Sequence, residues 1–314
     1  MNKQFNDLLP DIVNAINYNY TQSDLLLGKS DKYLPVRTTI IEILDDLKRL
    51  MFPGYFSTDR VDVTNAAYYT GQILSSLHLK LRKQVALALA YDREPGIFSS
   101  NPDVIAEAED ICCKFFEAVP HIQEMLLLDV QAGYDGDPAA DSKEQIIFSY
   151  PGFYATFVYR VAHELYNMHV PFIPRVMTEH AHGKTGIDIN AGATIGKYFF
   201  MDHGTGIVVG ETTIIGDYVK LYQGVTLGAL STRGGQHLAG VKRHPTIEDR
   251  VTIYSNATVL GGETVIGADS VIGGGAFITN SIPANTRVSV TPPELAIKQD
   301  THAQISATDY VYEI

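Results

Sequence analysis

Three groups of polar residues in the second half of the chain have the types and spacing that acid–base chemistry requires. They are Asp188, the pair Asp202-His203, and the run Lys242-Arg243-His244-Pro245. Asp188 and His203 are fifteen residues apart, close to one coil of about eighteen in a hexapeptide repeat. A histidine whose Nδ1–H is held by a carboxylate presents a basic Nε2 that can take a proton from an alcohol. We therefore expect Asp188 and His203 to form a catalytic pair.

The remaining histidine and cysteine patterns indicate no further chemistry. The segment Glu179-His180-Ala181-His182 is interpreted as the polar end of a helix. The two cysteines, Cys112 and Cys113, are adjacent and cannot form a disulfide framework, which is typical of a reducing cytoplasm. We expect both cysteines to pack in the core, and we expect no metal site.

The elements that position the polar groups show a six-residue period. Aliphatic residues recur at every sixth position, with a two-residue shift after Ile207, an interruption from 229 to 245 and one step of seven. The series is Ile189, Ile195, Met201, Ile207, Val209, Ile215, Leu221, Leu227, Ile247, Ile253, Val259, Ile266, Ile272 and Ile278. Such a period predicts a parallel β-helix, because three hexapeptides close one coil and each aliphatic side chain points inward. The residues leave the handedness of the coil open.

The first half of the chain has a helical period instead. Apolar stripes at Leu9–Ile16, Ile40–Met51, Leu74–Val85, Ile105–Val119 and Phe153–Leu165 predict amphipathic helices whose stripes form a core. A polar loop is expected between two of them, at Tyr134–Ala139. The fold class is therefore α + β: an N-terminal all-helical domain at 1–184, whose first hundred residues or so form an extension, a parallel β-helix catalytic domain at 185–290, and a C-terminal tail at 291–314.

Composition argues against two classes of partner. The 314 residues include 24 basic and 36 acidic side chains, with a formal charge of −12 and a pI near 5.2. This excess of negative charge argues against binding to nucleic acid or to an anionic membrane surface. No apolar run is long enough to span a bilayer and no secretory signal is visible, so a cytoplasmic location is expected.

Four segments closely resemble the bacterial serine O-acetyltransferases, a family of hexapeptide-repeat acyltransferases. They are Thr185–Ile189, Met201–Thr212, Gln223–Gly228 and Lys242–Pro245, and the upstream Asp135–Ala139 and Tyr159-Arg160 are also similar to that family. The resemblance covers about residues 125–290. It implies a left-handed coil and transfer of acetyl from acetyl-CoA to the hydroxyl of L-serine, the committed step towards cysteine.

The resemblance also implies roles for individual residues. His203 would be the general base and Asp188 would orient it. Asp137 and Asp202 would contact the substrate ammonium, and Arg243 would hold its carboxylate. His244 would lie near the reacting centre and stabilise the oxyanion. The co-substrate acetyl-CoA would lie along the coils near Gly228, Ala257 and Lys242.

Partners follow from the same resemblance. The family's sites form between subunits of a trimer, so a homo-oligomer, either a trimer or a dimer of trimers, is expected. Family tails end in isoleucine and insert into O-acetylserine sulfhydrylase (cysteine synthase), which predicts that Ile314 binds this partner. The sequence departs from the family at Asn190-Ala191, where histidine and proline are common, and at the bulky Ile253–Ala257 beside the expected CoA site.

Three alternatives remain beside this interpretation. A hexapeptide acyltransferase acting on a sugar or antibiotic hydroxyl would share the coil and His203, but would not need the charged groups Asp137 and Arg243. A γ-class carbonic anhydrase places two zinc-ligating histidines five residues apart, a spacing that no two of the 10 histidines have. A non-catalytic β-helix would not need the Asp188–His203 pair.

Overall fold

Eight helices and fourteen short strands make up the described part of the chain. The computed structural model describes residues 4–28, 32–58, 60–93 and 96–291. The helices are α1 Phe5–Gln22, α2 Arg37–Met51, α3 Pro53–Phe56, α4 Ala66–Asp92, α5 Pro102–Gly136, α6 Lys143–Ser149, α7 Pro151–Asn167 and α8 Ile173–Thr185. The strands are β1 Asp188–Ile189, β2 Thr194–Ile195, β3 Phe200–Asp202, β4 Val208–Val209, β5 Ile214–Ile215, β6 Lys220–Tyr222, β7 Thr226–Gly228, β8 Thr246–Ile247, β9 Thr252–Ile253, β10 Thr258–Leu260, β11 Val265–Ile266, β12 Val271–Ile272, β13 Phe277–Ile278 and β14 Arg287–Val288.

Most of the helical stripes form a common core, as their period predicts. The buried faces of α2, α4, α5, α7 and α8 belong to one cluster of apolar side chains. The start of α5 is set by Asn101, whose side chain accepts a hydrogen bond from the backbone N–H of Asp103, with Pro102 in the first turn. Proline also stands in the first turn of α7, where its missing N–H has no helical partner to lose.

Four expectations for the helical half are wrong. The stripe of α1 is not core, because no residue of this helix is buried. Ile105 is 41% exposed, and Cys113 is exposed while its neighbour Cys112 is buried, because adjacent helical residues point in different directions. The predicted loop at Tyr134–Ala139 begins later, since α5 continues through Gly136.

The second half is a left-handed parallel β-helix of about 5 turns, and this confirms the predicted fold class. The strands stack into three parallel sheets: β1-β4-β7-β10-β13 (the first sheet), β2-β5-β8-β11 (the second) and β3-β6-β9-β12-β14 (the third). Every aliphatic residue of the predicted series is buried, with exposures between 0% and 6%. A continuous apolar column of this kind stabilises coils that are too short to be stable alone.

The coil that carries His203 is longer than a regular coil. Asp188 pairs in register with Val208 rather than with a residue eighteen positions on. The two extra residues lie in a corner where His203, Gly204 and Gly206 all have positive φ, near 60°, 85° and 80°. This conformation costs little for glycine and is uncommon for residues with a side chain, and the His203 side chain at this corner is exposed.

A buried ion pair joins the helices to the first coil. Arg160 on α7 donates two hydrogen bonds to Asp129 on α5, at 2.6 and 2.9 Å. The same guanidinium donates to the carbonyl of Gly196 at 2.8 Å, and Asp129 accepts from the backbone N–H of Phe199 at 2.9 Å. Burial of the Asp129 carboxylate raises its pKa, against the opposing effect of Arg160. The pair therefore sets the position of α5, and with it Asp137, relative to the coils.

Candidate active site

The first group of predicted site residues meets where the end of α5 faces the corner after β3. Asp137 follows α5, and Asp202 and His203 stand at the end of β3. Lys220, the first residue of β6, lies between the two elements: its Nζ donates to the carbonyl of Gly136 at 2.5 Å and is 3.4 Å from Asp202 Oδ2. The structure thus brings two carboxylates from distant parts of the chain to the same corner as His203.

The carboxylate of Asp137 is held in its charged form. The Tyr150 hydroxyl donates to Asp137 Oδ2 at 2.6 Å. This hydrogen bond is the largest of the effects that lower the pKa of Asp137, followed by the backbone N–H of Ala139 and the positive charges of Lys220 and His203. Asp202 is buried, with 9% exposure. Two such carboxylates can stabilise a substrate cation, because charge-assisted hydrogen bonds strengthen away from water.

The His203 ring faces Asp202 in this chain. Its Nε2 is 3.8 Å from Asp202 Oδ1, and 71% of the side chain is exposed. The corner of His203 lies over the residues before Asp188, since the N–H of Gly206 donates to the carbonyl of Gly186 at 2.7 Å. Across residues 4–28, 32–58, 60–93 and 96–291, however, no hydrogen bond joins the side chains of Asp188 and His203. Their pairing stays a prediction.

The second group surrounds Arg243. The guanidinium of Arg243 forms an ion pair with Glu211 and donates to the carbonyl of Leu238 at 3.2 Å. The other oxygen of Glu211 accepts from the Tyr166 hydroxyl at 3.0 Å. The hydrogen bonds from Arg243 and Tyr166 lower the pKa of Glu211, against a desolvation effect that would raise it. Glu211 therefore orients the guanidinium and keeps it close to the coil.

His244 is buried against Gly210, where a Cβ atom would lie only 2.0 Å from the ring Cδ2. The backbone N–H of Thr212 donates to His244 Nδ1 at 3.1 Å. An Nδ1 that accepts leaves the proton on Nε2, so this ring is a neutral donor. Burial, together with the charges of Arg243 and Lys242, lowers the pKa of His244 to about 4. A neutral donor of this type can stabilise a developing oxyanion.

The lowered pKa of His244 predicts acid sensitivity. As pH falls from the ordinary value of 6.5 towards 4, the unfolded chain binds a proton that the folded ring does not. The free energy of unfolding should therefore decrease over that window, and the contribution should be fully present above it. Urea titrations from pH 7 to pH 4 measure the effect. A His244→Asn variant should have a shallower slope, and an unchanged slope would contradict the prediction.

The two groups lie at opposite ends of the strands of the first sheet, one where these strands begin and the other where they end. Asp202 and His203 precede β4, whereas Glu211 follows β4 and Arg243-His244 precede β8. Within the part of the chain that the structure describes, no hydrogen bond or ion pair links one group to the other. One chain therefore presents two half-sites on different corners of its prism.

The residues expected to contact CoA are placed differently from one another. Gly228 ends β7 and is partly exposed, but Lys242 Nζ donates to the carbonyls of Thr212, His244 and Pro245. The Ala257 methyl is fully buried in the β-helix core, and its backbone N–H and carbonyl are both used within the coils. Ala257 is thus enclosed in the coils, whereas Lys242 is exposed although its ammonium donates to three backbone carbonyls, and Gly228 is partly exposed.

Sequence reasoning missed Tyr150, Lys220 and Glu211. Tyr150 stands at the junction of α6 and α7, where only its place before Pro151 is visible in the sequence. Lys220 could have been found from the sequence. It precedes the inward-facing Leu221, so its side chain must point out of the prism, and it lies on the coil that follows the coil of Asp202. Glu211 follows Val209-Gly210 directly, but its pairing with Arg243 spans thirty-two residues.

Two further searches concern the described residues alone. No group of three or more His, Cys, Asp or Glu side chains there could hold a metal ion. None of the helices seen in the structure is both long enough and apolar enough to cross a bilayer.

Comparison of the sequence with characterised proteins identifies relatives. No family model matches the chain. A plasmid-encoded serine acetyltransferase of Synechococcus elongatus is 42% identical over 267 residues, which cover 83% of this chain and 83% of the relative. A serine acetyltransferase of Synechocystis is 44% identical over 126 residues, 40% of this chain and 48% of that relative.

Comparison of the fold gives the same result. Serine acetyltransferase isoform 3 of Entamoeba histolytica, solved in complex with cysteine, has a TM-score of 0.70 at 31% identity, over 94% of this chain and 96% of that structure. Serine acetyltransferase 1 of the same organism, solved in complex with L-cysteine, has a TM-score of 0.68 at 33% identity, over 85% and 94% of the two chains. The sequence and the fold together show that the chain belongs to the serine acetyltransferase family.

Proposed function

We propose that the protein transfers the acetyl group of acetyl-CoA to the hydroxyl of L-serine, with His203 as the general base. The observation that carries the proposal is the convergence of Asp137 and Asp202 on the corner of His203. A pair of carboxylates suits the ammonium of an amino acid, and a nearby imidazole suits its hydroxyl. A sugar hydroxyl would give these two carboxylates no cation to bind.

The reaction needs one proton to move twice. His203 takes the proton of the serine hydroxyl as the oxygen attacks the thioester carbonyl of acetyl-CoA. Asp188 stabilises the imidazolium that forms, once the exposed ring has turned its Nδ1–H towards that carboxylate. Collapse of the tetrahedral intermediate breaks the carbon–sulfur bond, and the departing thiolate takes the proton back from His203. The products are O-acetylserine and CoA.

Arg243 and His244 complete the site from the other half. The guanidinium of Arg243, oriented by Glu211, would bind the serine carboxylate through two parallel hydrogen bonds. The Nε2–H of neutral His244 would donate to the oxyanion of the intermediate. Gly228, at the end of β7, would contact CoA together with the exposed Lys242, and the buried Ala257 would support the coil beneath them.

A homo-oligomer follows from the two half-sites. The groups lie at opposite ends of the strands of the first sheet. A rotation axis that places the His203 corner of one chain beside the Arg243 corner of a second chain would therefore assemble a site from two chains. A closed threefold ring produces three identical sites of this kind, so we propose a trimer, alone or paired into a dimer of trimers. Sedimentation of the full chain distinguishes these states from a monomer.

The proposal is tested by measuring acetyl-CoA consumption with serine, homoserine and a panel of sugars and aminoglycosides. We expect kcat/KM to be highest for serine, because homoserine places its hydroxyl one methylene away from the base. Faster turnover of a sugar or an aminoglycoside hydroxyl would overturn the proposal in favour of another hexapeptide acyltransferase activity. Absence of CoA release with every acceptor would favour a non-catalytic β-helix.

Binding to O-acetylserine sulfhydrylase is proposed for the terminal Ile314, which lies outside the described residues. The proposal rests on the family resemblance and on the acidic, aromatic segment that precedes the isoleucine. Removing Ile314 should abolish capture of the sulfhydrylase in a pull-down while leaving serine acetylation unchanged. Equal capture of the sulfhydrylase by the full chain and by the chain without Ile314 would contradict this proposal.

A further inference from the structure

An aromatic cavity lies in the helical half, outside both half-sites. It has a volume of about 280 Å³ and opens between α2, α3, the α6–α7 junction and the end of α8. Its wall includes Phe52, Phe56, Phe148, Tyr150, Phe153 and Tyr154. The Phe56 and Phe148 rings stack at 6.1 Å with an interplanar angle of 12°, although Phe148 is 68% exposed. Sites for drug-sized ligands begin near about 300 Å³, so this cavity suits one ring with a short side chain.

Two ammonium groups flank the ring of Tyr154 in this cavity. Lys48 Nζ lies 5.6 Å from the ring centroid and Lys184 Nζ lies 5.3 Å from it. Lys48 has a carboxylate, Asp45, at 3.8 Å, whereas Lys184 has none within ion-pair distance in the described residues. None of the described lining residues is acidic. In a chain with a formal charge of −12, Lys184 gives this cavity a local positive charge, whereas Asp45 offsets the charge of Lys48 from outside the lining.

The hydroxyl of Tyr154 is buried and has no hydrogen-bond partner among the described residues. Burial, followed by the nearby charge of Asp45, raises the pKa of Tyr154 to about 12, so the hydroxyl keeps its proton near neutral pH and can donate a hydrogen bond. A buried donor left unpaired is unfavourable, because it has lost its hydrogen bonds to water. An acceptor atom of a ligand would pair this hydroxyl, and a negatively charged acceptor would also pair Lys184, which has no carboxylate within ion-pair distance in the described residues.

The wall of this cavity is continuous with the active-site groups. Tyr150 contributes to the cavity, and its hydroxyl donates to Asp137 Oδ2 at 2.6 Å. Lys184 and Thr185 line the cavity and end α8, three residues before Asp188. A ligand that shifts Tyr150 would therefore change the position and the pKa of Asp137.

From these contacts we propose that the cavity is an effector site for a small carboxylate carried on an apolar ring. The ring packs among the phenylalanines, and the carboxylate accepts from Tyr154 and Lys184. Occupancy changes the affinity for serine through Tyr150 and Asp137. This last step rests on the proposed function, in which Asp137 contacts the substrate ammonium, whereas binding to the cavity does not.

The test uses the full chain with 3-phenylpropionate and its neutral analogue 3-phenylpropanamide as probes in isothermal titration calorimetry. We expect saturable binding of the acid and at least about tenfold weaker binding of the amide, a difference of about 1.4 kcal/mol. Lys184→Gln and Tyr154→Phe should each weaken binding of the acid. Lys114→Gln, which removes an exposed lysine charge on α5 far from the cavity, is the matched control and should not.

Several outcomes would overturn the inference. They are equal binding of acid and amide, no saturable binding, full affinity in Lys184→Gln and Tyr154→Phe, or loss of binding only in Arg243→Ala, which would place the probe in the substrate site.

The coupling between the cavity and the serine site is tested by steady-state kinetics. A saturating concentration of the probe should change the KM for serine in the wild type and not in Tyr150→Phe. An unchanged KM in the wild type rejects the effector role alone, whereas failure of the proposed function would appear as no serine acetylation with or without probe.

Discussion

Replacing His203 with alanine is expected to lower kcat for serine acetylation by about 10²–10⁴. The serine hydroxyl is a poor nucleophile until its proton is removed, and His203 is the one imidazole at the corner that Asp137 and Asp202 share among the described residues. Because 71% of the His203 side chain is exposed, its loss leaves no cavity in the core and the fold should persist. Acetyl-CoA affinity should change little.

Steady-state kinetics and equilibrium binding of acetyl-CoA to the same variant separate these effects. His121→Ala is the matched control, because His121 is an exposed histidine on α5 whose only charged neighbour in the described structure is Glu124, at 3.8 Å. Near-normal turnover by His203→Ala would remove this residue from the role of base. A similar fall in kcat for His121→Ala would point to a general loss of fold instead.

Arg243→Ala is expected to raise the KM for serine far more than the KM for acetyl-CoA. A hydrogen bond to a charged group contributes about 1.5–3 kcal/mol, so the loss of a bidentate carboxylate contact should raise the KM for serine by about 10- to 100-fold. The variant also leaves Glu211 with Tyr166 as its remaining partner in the described structure. An unneutralised carboxylate so close to the site would repel the serine carboxylate and add to the effect.

The kinetics of two further variants make this prediction specific. Arg233→Ala removes an exposed arginine from the same interruption of the repeat and should leave both KM values near those of the wild type. Arg243→Lys keeps the charge but loses the planar fork, so it should recover only part of the affinity for serine. A larger change in the KM for acetyl-CoA than for serine would mean that Arg243 belongs to the CoA site.

The β-helix could be predicted from the sequence because each of its contacts repeats locally. Every coil places an aliphatic residue inside at the same phase, so the series from Ile189 to Ile278 carries the fold in its spacing. The helical stripes are weaker predictors, since amphipathicity does not say which helix finds a partner. The stripe of α1 shows this limit, because its apolar residues remain exposed while those of α2 are buried.

Part of the candidate site could also be predicted from the sequence, and part could not. His203, Arg243 and His244 were recognisable from the sequence because they interrupt a regular pattern at positions that resemble a family motif. The sequence also placed Asp188 near His203, although the extra residues at the His203 corner moved the register partner of Asp188 to Val208. The hydrogen bond that this pair requires remains a prediction for the proposed mechanism.

By itself, the sequence determined the coil, its aliphatic column and the residue types that can move a proton or bind an amino acid. Tertiary structure alone decided which distant groups meet: Tyr150 with Asp137, Lys220 with Asp202, and Glu211 with Arg243. The physical reason is the range of the interactions. A repeating apolar contact is encoded within every eighteen residues or so, whereas a polar contact between elements depends on how they pack. The packed helices bring Tyr150 to Asp137, and the stacking of the coils brings Lys220 to Asp202 and Arg243 to Glu211.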